Sequence, residues 1–122
     1  MTTSQVLFIS TEDHDEQVQN MLVDYGVQVT KISSMQELKE PETKGEYSIV
    51  FLDLDLPCVS NNSIYWLRKM TGQAWIIGLS SKRYHPELKE SMRSDIFAVL
   101  GKPAHSRELQ YCLHSLFDLQ DG

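Results

Sequence analysis

Cysteine, basic charge and long apolar runs are all scarce in this chain. Only two cysteines, Cys58 and Cys112, occur among 122 residues. They have no CxxC or other metal-ligand spacing, which removes the usual zinc and redox motifs and reads as a pair of reduced thiols. Eleven basic side chains face seventeen acidic ones, for a formal net charge of −6. That balance argues against nonspecific binding of nucleic acid or an anionic membrane and favours protein partners. No apolar run approaches the roughly 18 residues that cross a bilayer. The segment Met1 to Gln5 carries no basic region ahead of a long apolar stretch, so a cytoplasmic protein is expected. There is no internal repeat, linker or low-complexity stretch, and Pro41-Glu42-Thr43-Lys44-Gly45 is only a turn-rich connection.

What is present is a regular alternation. Compact apolar runs stand at Val6 to Ile9, Ile49 to Leu52, Trp75 to Leu79 and Ile96 to Leu100, and an alternating segment spans Val27 to Ile32. Short uninterrupted runs predict parallel strands buried on both faces, and the alternating one predicts a strand nearer an edge. Between them, Val18, Met21, Leu22 and Tyr25 have helical spacing, as do Leu109, Cys112, Leu113 and Leu116. Asp13 with Glu16 can form a capping box, Gly26 can end the first helix, and Pro86 suits the first turn of a helix carrying Leu88 and Met92. Shorter helices are expected at Met35 to Glu40 and at Ile64 to Met70, the latter after a polar loop Ser60-Asn61-Asn62-Ser63. Five strand–helix alternations predict an α/β fold: a (βα)5 doubly wound parallel five-stranded sheet in a flavodoxin-like three-layer sandwich.

Three polar stations sit at the C-terminal ends of apolar runs: Asp53, Ser80 and Lys102. In an open parallel sheet those ends share the ligand-binding edge, so an acid, a hydroxyl and an ammonium would meet there. Singly, each has a plain alternative, as a turn acid, a cap and a surface charge. The four histidines, His14, His85, His105 and His114, show no ligand spacing and read as surface or packing residues. Cys58 reads as a loop thiol, and Trp66 and Trp75 as packing residues of the sheet or its helices.

Together the stations resemble the receiver domains of two-component response regulators, nearly end to end. Asp53-Leu54-Asp55-Leu56-Pro57 matches the family's phosphoacceptor pattern, Ser80 its fourth-strand hydroxyl, and Lys102-Pro103 its fifth-strand Lys-Pro. The resemblance implies one receiver domain over residues 1–122, of the kind that also stands at the N-terminus of longer, mostly transcriptional regulators. It implies Asp53 as the nucleophile that becomes an acyl phosphate, Lys102 and Ser80 as phosphoryl contacts, and Pro103 as the residue fixing the Lys102 turn. The implied partners are a sensor histidine kinase or phosphotransfer protein as donor and a second copy docking through the fourth helix, fifth strand and fifth helix.

Two positions depart from that pattern. The family's first strand ends in two adjacent acids that help to hold Mg²⁺, whereas Ser10-Thr11 stands here and acids follow only at Glu12 and Asp13. Candidate metal ligands are therefore Asp53, Asp55, Glu12 and Asp13, with helix capping as the competing role for Glu12 and Asp13. Val99 stands where many receivers place an aromatic ring, which weakens the usual hydroxyl–aromatic relay. Three other readings compete with a phosphorylated receiver. One is a phosphorylation-independent interaction module of the same fold. A haloacid dehalogenase-type phosphatase is opposed by Pro57 and by the short tail after Pro103. A flavodoxin-like cofactor carrier is opposed by the acidic Ser10 to Asp15 loop, which would repel a phosphate.

Overall fold

The computed structural model describes residues 5–10, 16–24, 26–39, 45–57, 59–82, 85–102 and 106–121. Five parallel strands, β1 (Gln5–Ile9), β2 (Gln28–Ile32), β3 (Ile49–Asp53), β4 (Trp75–Ser80) and β5 (Ile96–Gly101), form one sheet in the order β2-β1-β3-β4-β5. That order places β3 at the centre and reverses direction of progress between β1 and β3, the doubly wound arrangement expected. Its four α-helices are α1 (Glu16–Asp24), α2 (Asn61–Met70), α3 (Lys89–Ser94) and α4 (Ser106–Asp121). Where a second helix was expected, Met35–Lys39 forms a 3-10 turn that buries Met35 and Leu38. The Glu37 carboxylate accepts from the Ser33 amide at 2.6 Å and from the Ser34 amide at 3.1 Å, which fixes the entry to that turn.

Strand side chains alternate between two cores because their period is two. Leu7, Ile9, Val50, Leu52 and Ile76 pack on one face with Ile64, Leu67 and Leu88. Val6, Phe8, Ile49, Phe51, Ile77 and Leu79 pack on the other with Val18 and Leu22 of α1 and Leu109, Leu113 and Leu116 of α4. The helical stripes read from the sequence thus face the sheet, except that Tyr25 lies outside the described residues. Gly26 takes φ +75° and its amide donates to Val23 at 2.9 Å, the left-handed stop a glycine provides. In β4, Gly78 lies under Leu54, whose Cδ1 would be 2.6 Å from any added Cβ.

Two expectations need correction. Ser60 to Ser63 is not a loop: Ser60 is the N-cap, with reciprocal Ser60–Ser63 bonds of 2.7 and 3.1 Å, so α2 starts at Asn61. Serine and asparagine favour caps and loops alike, so composition could not separate the two. Likewise β5 is an edge strand rather than one buried on both faces, since Phe97 and Val99 are exposed. Trp75 is exposed too, edge-on to Phe97 at 5.5 Å, while Trp66 packs against the core. Pro86 opens a 3-10 turn, Pro86–Leu88, that runs directly into α3.

Candidate functional site

Asp53 is the last residue of the central strand and only 2% exposed. Its Oδ1 accepts from Lys102 Nζ at 2.6 Å and from the Asp55 amide at 2.9 Å. Its Oδ2 faces the Ser10 hydroxyl at 3.4 Å. Both strong bonds therefore fall on one oxygen, and the other carries only the long serine contact among the described residues. Lys102 follows β5 directly, and its amide donates to the Ser80 carbonyl at 3.1 Å, which ties the ends of β4 and β5 together. Parallel registers bring Asp53 beside Leu79 and Ser80 beside Gly101. The three stations read from the sequence end on adjacent strands at one edge.

Asp55 joins them from the turn after β3. Lys102 Nζ lies 3.1 Å from Asp55 Oδ2, so one ammonium bridges two carboxylates. The same oxygen accepts from the amide and hydroxyl of Ser81 at 3.0 and 2.8 Å. Burial pushes the Asp55 carboxyl up, but the Ser81 bonds and the Lys102 charge outweigh it and hold it at about 2, below its ordinary 3.8. A folded value below the unfolded one adds stability that is complete above pH 3.8 and disappears as pH falls through about 2. Asp55→Asn is accordingly expected to lose about 1–2 kcal/mol at neutral pH after allowance for solvent screening, with the gap to the parent closing toward pH 2. Urea unfolding at stepped pH checks this, and a gap that stays constant with pH would refute it.

Ser80 is buried at the end of β4 and its hydroxyl is turned elsewhere. It donates to the Lys82 carbonyl at 2.9 Å, accepts from the Lys82 amide at 2.9 Å and is hydrogen-bonded to His85 Nε2. His85 is itself buried, and its Nδ1 lies 3.3 Å from Glu87 Oε1. Sequence reading placed His85 with surface or packing histidines, and nothing in its spacing marked it otherwise. His114 is exposed. Glu12, Asp13, Pro103, Cys58, His14 and His105 lie outside the described residues.

Comparison with solved structures decides the fold. The chain is similar to a response regulator receiver domain from Methylobacillus flagellatus, at 22% identity and a TM-score of 0.74 over 94% of this chain and 99% of that one. A two-component response regulator from Clostridium difficile gives 15% identity and a TM-score of 0.82, covering 98% and 100%. The signal receiver domain of an HD domain-containing protein from Pseudomonas fluorescens gives 15% and 0.78, covering 98% of each. The chain has the receiver-domain fold. No protein-family model matches the sequence, and no curated protein does.

Within that receiver fold, the described residues offer Asp53 and Asp55 as carboxylates near the strand ends, and Asp55 Oδ1 is buried without a hydrogen-bond partner. Among the described residues no group of three or more His, Cys, Asp or Glu is placed to hold a metal. Two carboxylate oxygens fit the lower limit of what Mg²⁺ uses, since that ion keeps several waters. Also among the described residues, no helix is long and apolar enough to cross a membrane.

Proposed function

We propose that this chain is a signalling receiver that accepts a phosphoryl group on Asp53 and passes the change to a partner surface. The observation that carries the reading is the 2.6 Å pair of Lys102 Nζ and Asp53 Oδ1 at the end of the central strand. The ammonium occupies Oδ1 and leaves Oδ2 for in-line attack on a phosphohistidine or small phosphodonor, whose phosphorus bonds to Oδ2 as the donor group departs. Lys102 then neutralises the oxygens of the transferred group, a charge-assisted contact stronger than a neutral hydrogen bond. Mg²⁺, held by Asp53 and the unbonded oxygen of Asp55, with Glu12 or Asp13 as further candidates, would supply added charge neutralisation. Pro103 would fix the Lys102 turn.

The donor in this reading is a sensor histidine kinase or phosphotransfer protein, and the setting is cytoplasmic. Exposed Phe97 and Val99 on β5 and Tyr111 on α4 support a second copy docking across α3, β5 and α4, which would relay the signal to a transcriptional output domain. The work is that of a switch rather than of an enzyme. Ser10 at the end of β1 favours one further reading, the same fold acting as an interaction module with no phosphate step, because a hydroxyl binds Mg²⁺ poorly.

Intact-mass measurement after incubation with acetyl phosphate and Mg²⁺ separates the two. A single phosphoryl adduct, labile to hydroxylamine and missing from Asp53→Asn, is expected. Absence of any adduct in the parent protein would leave the interaction module as the function.

A further inference from the structure

The Ser80 hydroxyl is fully engaged away from Asp53. All its contacts are with Lys82 and His85, and it makes none with Asp53 or Lys102 among the described residues. A serine two residues before a backbone amide readily makes a local turn of this kind. The His85 contact is different in kind, since it adds a buried ring whose other polar partner among the described residues is Glu87. Glu87 is held below the usual carboxylate range by backbone and His85 bonds and the nearby Lys82 charge, so it is ionised and can only accept. His85 Nδ1 must therefore carry a proton. The single Ser80 hydroxyl proton is directed at the Lys82 carbonyl or shared with Nε2, and in either case the two contacts hold the oxygen in place.

We infer that His85 is a latch, a positioning residue that keeps the Ser80 hydroxyl folded back toward Lys82 and that must release it before Ser80 can bond a phosphoryl group on Asp53. This rests on the receiver reading, in which Ser80 is a phosphoryl contact. The two states compete for one hydroxyl group and one rotamer. Whatever strengthens the His85 bond therefore weakens retention of the phosphoryl group. A net hydrogen bond amounts to roughly a two- to tenfold factor in such an equilibrium. Glu87 acts through the ring, by fixing which nitrogen meets Ser80. The Asp55–Ser81 bonds hold the neighbouring residue of the same loop, so the segment after β4 is tied at two points.

Beryllofluoride with Mg²⁺ is the probe, titrated by NMR against the parent, His85→Phe, His85→Gln and each of these in a Ser80→Ala background. His85→Phe keeps the ring volume without the nitrogen and is expected to bind roughly two- to tenfold more tightly. His85→Gln, with an amide able to meet the hydroxyl, is expected to return toward the parent. In Ser80→Ala the two His85 substitutions are expected to change nothing, because the latched group is gone. An unchanged or weaker midpoint in His85→Phe, or an equal shift without Ser80, would overturn the latch. Should His85→Phe not fold, Glu87→Ala on the surface is expected to shift the midpoint in the same direction by a smaller factor, and no shift there refutes the proposal.

Amide exchange gives an arm independent of the phosphoacceptor reading. The Lys82 amide donates to Ser80 Oγ at 2.9 Å, so its exchange is expected to accelerate in His85→Phe and to stay near parental in His85→Gln. If the parent binds no beryllofluoride, the phosphoacceptor reading fails and this exchange alone decides the latch. Equal exchange in all three proteins would overturn it.

Discussion

Lys102→Met is expected to cost about 3–5 kcal/mol of folding stability at neutral pH, far more than loss of a surface lysine. The Lys102 side chain is 8% exposed and Asp53 2%, so their 2.6 Å contact is a buried ion pair. Removing the cation leaves Asp53 in the sheet edge with, among the described residues, only the Asp55 amide and the distant Ser10 hydroxyl as partners. It also leaves the Asp55 carboxylate nearby without the charge that separated the two acids. A methionine of similar length fills the space, so the loss reports charge rather than volume. Adding Asp53→Asn to Lys102→Met is expected to recover most of the loss, because the uncompensated charge is then removed. Asp53→Asn alone should cost much less than Lys102→Met, since Lys102 keeps Asp55. Urea unfolding of the four proteins checks the cycle. A Lys102→Met loss under about 1 kcal/mol would mean that the pair is screened like a surface salt bridge.

The same edge shows what the sequence could and could not say. Asp53, Ser80 and Lys102 were legible because parallel strands align their C-terminal ends, so residues far apart in sequence are gathered by topology alone. Apolar run length gave four strands and alternation gave β2, each within one residue at either end, inside the usual uncertainty of element boundaries. That criterion fails for β5, because an apolar run does not reveal which strand is last in the sheet, and Phe97 and Val99 therefore point outward. Asp55 was named only as a candidate ligand, and its path was not legible: β3 stops at Asp53 and a turn carries Asp55 to Lys102. His85 was missed for a different reason. Its partners lie two and five residues away in a loop whose path no period or propensity encodes, and a lone histidine there looks like any other. Ser10 shows the reverse case: the substitution was plain in the sequence, and the structure adds that its hydroxyl faces Asp53 Oδ2.

Phe51→Ala is expected to remove about 3–5 kcal/mol, enough to unfold a domain of ordinary stability under mild denaturant. Phe51 lies in the central strand, fully buried, with its ring stacked on Phe8 at 5.6 Å and 19°. The α1 and α4 stripes close over that face through Leu22 and Leu113. Interiors packed on both sides relax little, so truncation leaves a cavity rather than a collapsed site. Phe97→Ala removes the same side chain from β5, where it is 39% exposed and touches Trp75 edge-on. Its expected cost is nearer 1 kcal/mol, because less apolar area returns to water and no cavity forms. The comparison tests sheet order directly, since only the central position of β3 makes one phenylalanine so much costlier than the other. Asp53 lies two residues beyond Phe51 and so shares its side of the strand. The cavity therefore opens beside the base of Asp53, and if Asp53 accepts a phosphoryl group as proposed, adduct formation there should slow in any folded Phe51→Ala protein while Phe97→Ala retains the parental rate. Equal unfolding midpoints for the two variants would contradict the sheet order.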